Sequence, residues 1–244
     1  MADIRFDDRV AVVTGAGGGL GREHALLLAS RGARVVVNDL GGAIDGTGAS
    51  AGPAERTVKE IEDLGGVAVA DANTVATVAG GQAIVDTALE AFGRVDIVIS
   101  NAGILGNFGQ SNYGAAKMGL VGLARVLAQE GARHNIKTNV LAPIARTRLT
   151  EELLGPLAPK LDPRLVAPVA AWLVSEDCPV SGEIYSAGGG RVARFFVGLT
   201  EGYANPALTL EDVRDHVGQI RDETGYSVPA GVAEEIASLV ERLR

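Results

Sequence analysis

The sequence predicts an α/β fold with a doubly wound parallel sheet and helices on both faces. Short apolar runs of strand length alternate with segments of helical periodicity from the N-terminus onward. The first run, Val10–Thr14, passes directly into a glycine-rich turn, Gly15–Gly21, and then into a helical segment. Glycine is abundant, with 33 residues, and aromatic residues make up only 4% of the chain, which suits tight strand-to-helix turns better than a sandwich.

The first half of the chain contains four predicted strands and three predicted helices. The strand segments are β-branched and short, and each helical segment ends at or near glycine. The predicted strands are Val10–Thr14, Arg34–Asn38, Val67–Ala70 and Val95–Ser100, and the predicted helices are Glu23–Ser30, Ala54–Leu64 and Gly81–Phe92.

The second half continues the alternation. Tyr113–Glu130 predicts a long helix, and Lys137–Leu141 a strand that Ala142 and Pro143 close. Asp162 is a predicted N-cap that opens a helix through Val174, and Glu183–Ser186 is predicted as the last strand. We therefore expect a dinucleotide-binding catalytic domain at 1–190 and a C-terminal helical extension of the same domain at 191–244.

The extension at 191–244 contains two helical signals. Thr209–Asp212 has the residue pattern of a capped helix start, and an amphipathic helix follows it. The apolar face of that helix is expected to cover the core or a neighbouring subunit. This face is formed by Val232, Ile236, Leu239, Val240 and Leu243.

Composition excludes several classes of function. A formal net charge of −8 argues against nucleic-acid binding, which requires clustered Lys and Arg. The single cysteine, Cys178, and the three scattered histidines suggest no disulfide and no metal site. No apolar run is long enough for a membrane span, and no secretory signal precedes the first strand. We expect a cytoplasmic protein without a membrane partner.

The glycine-rich turn is a candidate phosphate-binding loop. Gly15, Gly19 and Gly21 lack a Cβ, so a pyrophosphate could approach the backbone closely at the start of the following helix. The spacing alone is weak evidence, because a plain strand-to-helix turn can also be glycine-rich. Asp39 strengthens the interpretation as a dinucleotide-binding loop, because it follows the next predicted strand, 18 residues beyond Gly21.

The carboxylate of Asp39 favours NAD as the cofactor. It could accept hydrogen bonds from the adenosine ribose and would repel the 2′-phosphate of NADP. Neither Ala16–Gly18 nor Leu40–Gly42 supplies a compensating Lys or Arg. The alternative is that Asp39 only makes an Asx turn at the start of its loop.

Tyr113 and Lys117 are the candidate catalytic pair. They lie four residues apart, so a helix places them on one face. An ammonium group near a phenol favours the phenolate, which can remove a proton from an alcohol. Lys117 could also hold the nicotinamide ribose. The Tyr-x-x-x-Lys spacing occurs by chance on many helices, and its significance depends on the other motifs.

Together, these motifs and Asn101-Ala102-Gly103 resemble the short-chain dehydrogenase/reductase family from Asp8 to Gly190. Asn38–Gly42 and Gly106–Tyr113 resemble the branch formed by the (3R)-hydroxyacyl-CoA dehydrogenase unit of peroxisomal multifunctional enzyme type 2 and its stand-alone bacterial relatives. The resemblance implies a Rossmann-like fold. It also implies a set of cofactor-binding residues, namely Gly15, Gly19, Leu20, Gly21, Asp39, Asn73, Asn101, Ala102, Gly103, Tyr113, Lys117, Pro143 and Ile144.

Two of these positions depart from the family pattern. Asn73 stands where the family often has an acidic residue facing adenine, and its amide oxygen could accept the same hydrogen bond. Ile144 follows Pro143 where many members have glycine, so only a backbone contact near the nicotinamide carboxamide is expected.

One segment that the family resemblance implies is missing. Only nine residues separate Gly103 from Tyr113, and the family's catalytic serine and its strand have no counterpart. Ser100 has the right distance to Tyr113, but it occupies the position before Asn101. A helix and a strand, roughly 40 to 55 residues, are absent between Leu105 and Gly106.

Three explanations are open for the missing segment. The sequence in hand omits it, the protein carries a true internal deletion, or a divergent member has lost catalysis. We expect omission, because deleting a central strand would expose the apolar edges of its neighbours at a cost comparable to the stability of a domain.

The leading hypothesis is NAD-dependent oxidation of a secondary alcohol, with Tyr113 as the base and Lys117 as its electrostatic partner. The substrate class implied by the resemblance is a (3R)-hydroxyacyl-CoA or a steroid-like alcohol, and smaller alcohols share every motif. The alternative is a non-catalytic NAD-binding module. A homo-dimer or tetramer is expected, because the Tyr113 helix lies at the family's usual interface and carries an apolar stripe, Leu120, Leu123 and Leu127.

Overall fold

The computed structural model of the 244-residue chain describes residues 3–42, 48, 50–100, 111–147 and 150–242. Its strands are β1 (Val10–Thr14), β2 (Arg34–Asn38), β3 (Val67–Asp71), β4 (Ile97–Ile99), β5 (Val140–Pro143), β6 (Ile184–Gly188) and β7 (Arg191–Phe195). Its α-helices are α1 (Gly19–Ser30), α2 (Gly52–Asp63), α3 (Val78–Phe92), α4 (Ser111–Gly131), α5 (Glu151–Leu154), α6 (Ala167–Leu173), α7 (Leu210–Asp215), α8 (Val217–Ile220) and α9 (Val232–Arg242).

A four-stranded parallel sheet in the order β3-β2-β1-β4 forms the first part of the fold. The register pairs Val10 with Arg34 and Thr14 with Asn38, so β1 and β2 end side by side. The predicted α/β class and parallel sheet are confirmed. Because all four strands run the same way, the turns that follow them meet at one edge of the sheet.

Helices cover both faces of this sheet, as predicted. Alternate residues of β1 point to opposite sides. Ala11 and Val13 belong to a buried cluster that includes residues of α1 and α2, whereas Val10 and Val12 pack with Ile84 and Ala88 of α3. A strand buried on both sides is a continuous apolar run, which is what the β1 sequence shows.

A second sheet in the order β5-β6-β7 forms the other part, with β5 and β6 parallel. The sequence predicted Glu183–Ser186 as the last strand, and this prediction was wrong, because β7 follows it. Gly189 and Gly190 adopt positive φ angles of 58° and 82°, which allows a two-residue turn back from β6 into β7.

The two sheets are separate in the described part of the chain. β4 is the last strand of the first sheet and β5 the first strand of the second, and no described strand pairs with both. Val98 in the middle of β4 is 60% exposed, although its register partner Val12 is buried. The break falls where the sequence lacks the expected helix and strand, between Leu105 and Gly106.

Helix α6 packs against both sheets. Its Ala171 lies in the cluster that includes α1 and the first sheet, while Val169 and Leu173 pack with Ala187 of β6. Asp162 accepts a hydrogen bond from the Arg164 backbone, so the predicted N-cap is confirmed. The predicted single helix after it is divided into a 3-10 turn, Pro163–Leu165, and α6.

The chain divides into two compact units, 1–194 and 195–244. Within the second unit, Thr209 and Asp212 form the predicted capping box of α7. Phe196 stacks on Tyr226, and the ring of Tyr203 stacks on His216. The predicted amphipathic helix is α9, and its described apolar side chains are exposed, namely Val232, Ile236, Leu239 and Val240.

No helix in the described ranges is both long enough and apolar enough to cross a membrane. The compartment of the protein stays a prediction.

His24 is a buried polar residue in α1, three residues beyond Gly21. Its side chain is 1% exposed, and neither ring nitrogen has a hydrogen-bond partner among the described residues. Burial lowers the pKa of the imidazole from 6.5 to about 4. The folded protein therefore holds a neutral histidine at pH values where the unfolded chain takes up a proton.

We expect His24 to make the protein acid-sensitive. As pH falls from 6.5 towards 4, only the unfolded state gains a proton at this site, so the free energy of unfolding drops by about 3 kcal/mol. His24→Leu has no buried imidazole, so its free energy of unfolding should fall less over this pH range. At pH 7.5 it should be at least as stable as the native chain. Urea unfolding at pH 7.5 and 4.5 measures the difference between the two proteins.

The exposed His134 provides the control. His134→Gln removes a histidine from the surface and should lose as much stability between the two pH values as the native chain. If His24→Leu loses as much stability as the native chain between pH 7.5 and 4.5, the acid sensitivity does not come from His24.

Candidate active site

The glycine-rich turn after β1 closes tightly on itself. A Cβ on Gly21 would lie 2.2 Å from the carbonyl oxygen of Gly15, which no side chain could tolerate. The backbone N–H of Ala16 donates to the carbonyl of Asn38, at 2.9 Å, and so joins the turn to the end of β2. The structure thus places Gly15, Gly19 and Gly21 in one compact turn beside β2.

Helix α1 begins inside this turn. Its N-cap, Gly18, provides no side-chain cap, so the first-turn amide groups have no side-chain partner there. Leu20 is partly buried, and its side chain packs against the cluster around α6. Amide groups without a side-chain cap at the start of a 12-residue helix suit an anion such as a pyrophosphate.

Asp39 lies where the sequence predicts, directly after β2. One of its carboxylate oxygens accepts the N–H of Gly17 at 2.8 Å, and the other accepts the N–H of Gly41 at 2.7 Å. Both oxygens keep a second lone pair for a hydroxyl donor. The bond to Gly17 was not predicted, and a Cβ on Gly17 would lie 2.8 Å from the Asp39 carboxylate carbon.

Asn73 follows β3 at the same edge of the sheet. Its side-chain nitrogen donates to Asp71 at 2.8 Å, and its carbonyl accepts from the side chain of Asn38 at 2.8 Å. The Asp71 carbonyl in turn accepts the backbone N–H of Asp39 at 2.9 Å. Asn73 therefore lies one strand away from Asp39, and its side chain is part of a network that sequence reasoning missed.

The structure brings Tyr113 and Lys117 together on α4. The ammonium nitrogen of Lys117 lies 5.3 Å from the centre of the Tyr113 ring. Tyr113 is 43% exposed, and Lys117 is half-buried. The pair therefore places a cation beside an accessible phenol, as its spacing on one helix predicts.

β5 ends at Pro143, and Ile144 begins the loop that follows it. The N–H of Ile144 donates to the Ala187 carbonyl at 2.8 Å, so the predicted backbone contact of Ile144 could come only from its carbonyl oxygen. Thr147 was missed by the sequence analysis. Its methyl carbon lies 3.5 Å from where a Cβ of Gly19 would be, so this loop reaches the glycine-rich turn.

Three predicted cofactor-binding residues, Asn101, Ala102 and Gly103, lie outside the described residues. Ser100, which was not predicted to be the catalytic serine, is exposed directly after β4.

The residues present fit a nicotinamide dinucleotide. A Cβ on Gly18 would meet no atom within 4 Å, so the turn is open at this point, and α1 presents its uncapped N-terminus there. Asp39 is held beside the turn by two backbone N–H groups, and its spare lone pairs suit ribose hydroxyls. The arrangement resembles the crevice at the carboxyl ends of parallel strands where dinucleotides bind.

Comparison with protein families gives a match to the short chain dehydrogenase family, over residues 9–110 and 103–154. A short-chain type dehydrogenase/reductase of Mycobacterium tuberculosis is 44% identical, covering 91% of this chain and 96% of the relative. Peroxisomal multifunctional enzyme type 2 of Drosophila melanogaster is 40% identical, covering 98% of this chain and 50% of that enzyme. The chain thus spans half the length of the multifunctional enzyme.

Solved structures agree with this result. The full-length Drosophila enzyme superimposes on 98% of this chain with a TM-score of 0.72 and 33% identity, covering 50% of that structure. A 7α-hydroxysteroid dehydrogenase, solved with NADH and 7-oxo glycochenodeoxycholic acid, superimposes on 78% of this chain and 98% of its own length. Its TM-score is 0.65, and its identity is 26%.

The alignments also indicate the missing segment. The alignment to the M. tuberculosis protein spans 277 positions, whereas 91% of this chain's 244 residues is about 222, so about 55 positions belong to the relative alone. The two family matches both include residues 103–110, where the sequence lacks a helix and a strand.

We expect Gly21 to be essential to the turn. Gly21→Ala should lower the free energy of unfolding by about 2 kcal/mol or more, since its Cβ would overlap the Gly15 carbonyl. Gly18→Ala is the matched control, because a Cβ there meets nothing within 4 Å and the backbone is extended. Urea unfolding of the two variants checks the prediction, and equal losses would contradict the described turn.

Proposed function

The chain belongs to the short-chain dehydrogenase/reductase family, and from that premise we propose that it oxidises a secondary alcohol to a ketone with NAD. The main support is that one chain contains both a candidate cofactor-binding edge and a candidate catalytic pair. The turns after β1, β2 and β3 are joined by hydrogen bonds through Ala16, Gly17 and Asp39, and α4 presents Tyr113 beside Lys117.

Backbone groups would hold the cofactor at its pyrophosphate. Gly15, Gly19, Leu20 and Gly21 surround the start of α1, where amide groups and the helix dipole favour negative charge. Asp39 would accept the adenosine ribose hydroxyls, and its negative charge disfavours a 2′-phosphate. When bound, NAD supplies the ring carbon that accepts a hydride.

Tyr113 is proposed as the general base. Its phenolate takes the proton of the substrate hydroxyl, the carbon–oxygen double bond forms, and the hydrogen on the same carbon leaves as a hydride. Lys117 is the proposed electrostatic partner of this base, with its ammonium 5.3 Å from the ring centre.

A (3R)-hydroxyacyl-CoA or a steroid-like alcohol is the proposed substrate. The sequence resemblance to the (3R)-hydroxyacyl-CoA dehydrogenase unit favours the former, and the identity to peroxisomal multifunctional enzyme type 2 agrees with it. The likeness to a 7α-hydroxysteroid dehydrogenase favours the latter.

A non-catalytic NAD-binding module is the second candidate function. The observations that favour it are the separation of the two described sheets between β4 and β5, and the roughly 55 alignment positions that belong to the M. tuberculosis relative alone. The serine that the family resemblance implies has no counterpart in this sequence. In this alternative the turns after β1, β2 and β3 would still bind NAD.

Tyr113→Phe tests the catalytic proposal. The variant keeps the ring and removes the proton acceptor, so we expect NAD reduction with a (3R)-hydroxyacyl-CoA to fall at least about a hundredfold, while NAD still binds. Absorbance of NADH measures turnover, and calorimetric titration measures binding.

The matched control is Tyr226→Phe, the same change on an exposed tyrosine of the second unit. It should leave turnover unchanged. If the native chain binds NAD but oxidises neither a hydroxyacyl-CoA nor a steroid alcohol, the module is the correct function. If Tyr113→Phe is as active as the native chain, Tyr113 is not the base.

We further propose that α4 mediates a homo-dimer or tetramer. It buries Val121 and Ala124 and leaves Leu123 and Leu127 exposed. Light scattering on the native chain should give the mass of two or four chains, and Leu123→Arg with Leu127→Arg should give one. A native monomer would contradict the proposal.

A further inference from the structure

A buried carboxylate links the ends of β2 and β3 to α3. Asp71 is 5% exposed and accepts four hydrogen-bond donors from three residues. These are the side-chain nitrogen of Asn38 at 2.6 Å, the backbone N–H of Asn73 at 3.0 Å, the side-chain nitrogen of Asn73 at 2.8 Å, and the hydroxyl of Thr87 at 2.8 Å. Such a set matches the acceptor capacity of an ionised carboxylate.

The charge state of Asp71 agrees with this geometry. Burial opposes ionisation, but the hydrogen bonds from Thr87, Asn38 and Asn73 outweigh it and lower the pKa of the carboxyl group. Asp71 is therefore an acceptor only.

An acceptor-only partner determines which way the amide of Asn73 points. An amide can turn over and exchange its oxygen and nitrogen at little steric cost, so its hydrogen-bond partners decide its orientation. Beside a carboxylate only the nitrogen fits, and the Oδ1 atom of Asn73 must face away from Asp71.

The backbone of Asn73 is held by the same network. Its N–H donates to Asp71, and its carbonyl accepts from the side chain of Asn38 at 2.8 Å. The residue is exposed, but its orientation is tied to a buried group.

The position of Asn73 relates it to the adenosine half of the cofactor. β3 pairs with β2, and the N–H of Asp39 donates to the Asp71 carbonyl at 2.9 Å. If Asp39 binds the adenosine ribose, the attached base lies within the crevice at the ends of the same strands.

We propose that Asp71 is a positioning residue that makes the site selective for adenine over hypoxanthine, by holding the Oδ1 atom of Asn73 as an acceptor for the exocyclic amino group. Adenine carries a donor at this position, whereas hypoxanthine carries an oxygen that can only accept. Two acceptors would then face each other. This inference rests on the proposed NAD-binding function.

The test compares binding of NAD with binding of nicotinamide hypoxanthine dinucleotide by calorimetric titration. The native chain should bind NAD about tenfold more tightly, the size expected from one hydrogen bond. Asp71→Asn introduces a donor, which allows the Asn73 amide to turn, and the preference should fall below about threefold. Activity is not needed for this readout.

Two variants complete the design. Asn73→Ala removes the acceptor and should also abolish the preference, and it tests the inference even if Asp71→Asn does not fold. Asp86→Asn is the matched control, because it makes the same change at an exposed aspartate on α3, one residue before Thr87. It should keep the native preference.

The outcomes separate this inference from the proposed function. If the native chain binds neither dinucleotide, the proposed function fails and the inference with it. Equal affinity of the native chain for both dinucleotides would overturn the inference alone. A preference that persists in Asn73→Ala would exclude Asn73, and one that persists in folded Asp71→Asn would exclude the positioning role.

Discussion

The candidate site depends on hydrogen bonds that tie the turns after β1, β2 and β3 to one another. Ala16 donates to the carbonyl of Asn38, Gly17 donates to the carboxylate of Asp39, and the N–H of Asp39 donates to the carbonyl of Asp71. Two of these bonds join backbone groups, and the third joins a backbone N–H to the half-buried Asp39 carboxylate, all at the carboxyl ends of parallel strands. They hold the glycine-rich turn, the Asp39 carboxylate and Asn73 in one arrangement.

This arrangement does not require the segment that relatives carry. The first sheet is complete from β3 to β4, and α6 packs both against α1 and against the second sheet through Ala171, Val169 and Leu173. The first sheet and its turns can therefore form while the sheet is interrupted beyond β4. Tyr113 and Lys117 lie beyond the interruption, so the proposed catalysis depends on the missing segment more than the proposed NAD binding does.

The sequence predicted most of the first sheet, because β1 and β2 are continuous apolar runs bounded by charged residues or glycine. The end of the apolar run of β2 also placed Asp39 correctly, directly after that strand. The sequence analysis missed β7, since Arg191–Phe195 contains two arginines and has no alternation that marks a buried strand. It also missed Gly17, Asp71 and Thr147. Most of their partners are distant in sequence, as with Thr147 and Gly19 or Asp71 and Thr87, and no local pattern reveals such contacts.

The most direct test of the central claim is titration of the purified chain with NAD and NADP, with the intact mass recorded on the same sample. We predict that protein with the mass of the 244-residue chain, 25.0 kDa, binds one NAD per chain and binds NADP more weakly. A heavier sample would show that the natural polypeptide includes the missing segment. Protein of 25.0 kDa that is folded but binds no NAD, or prefers NADP, would contradict the account.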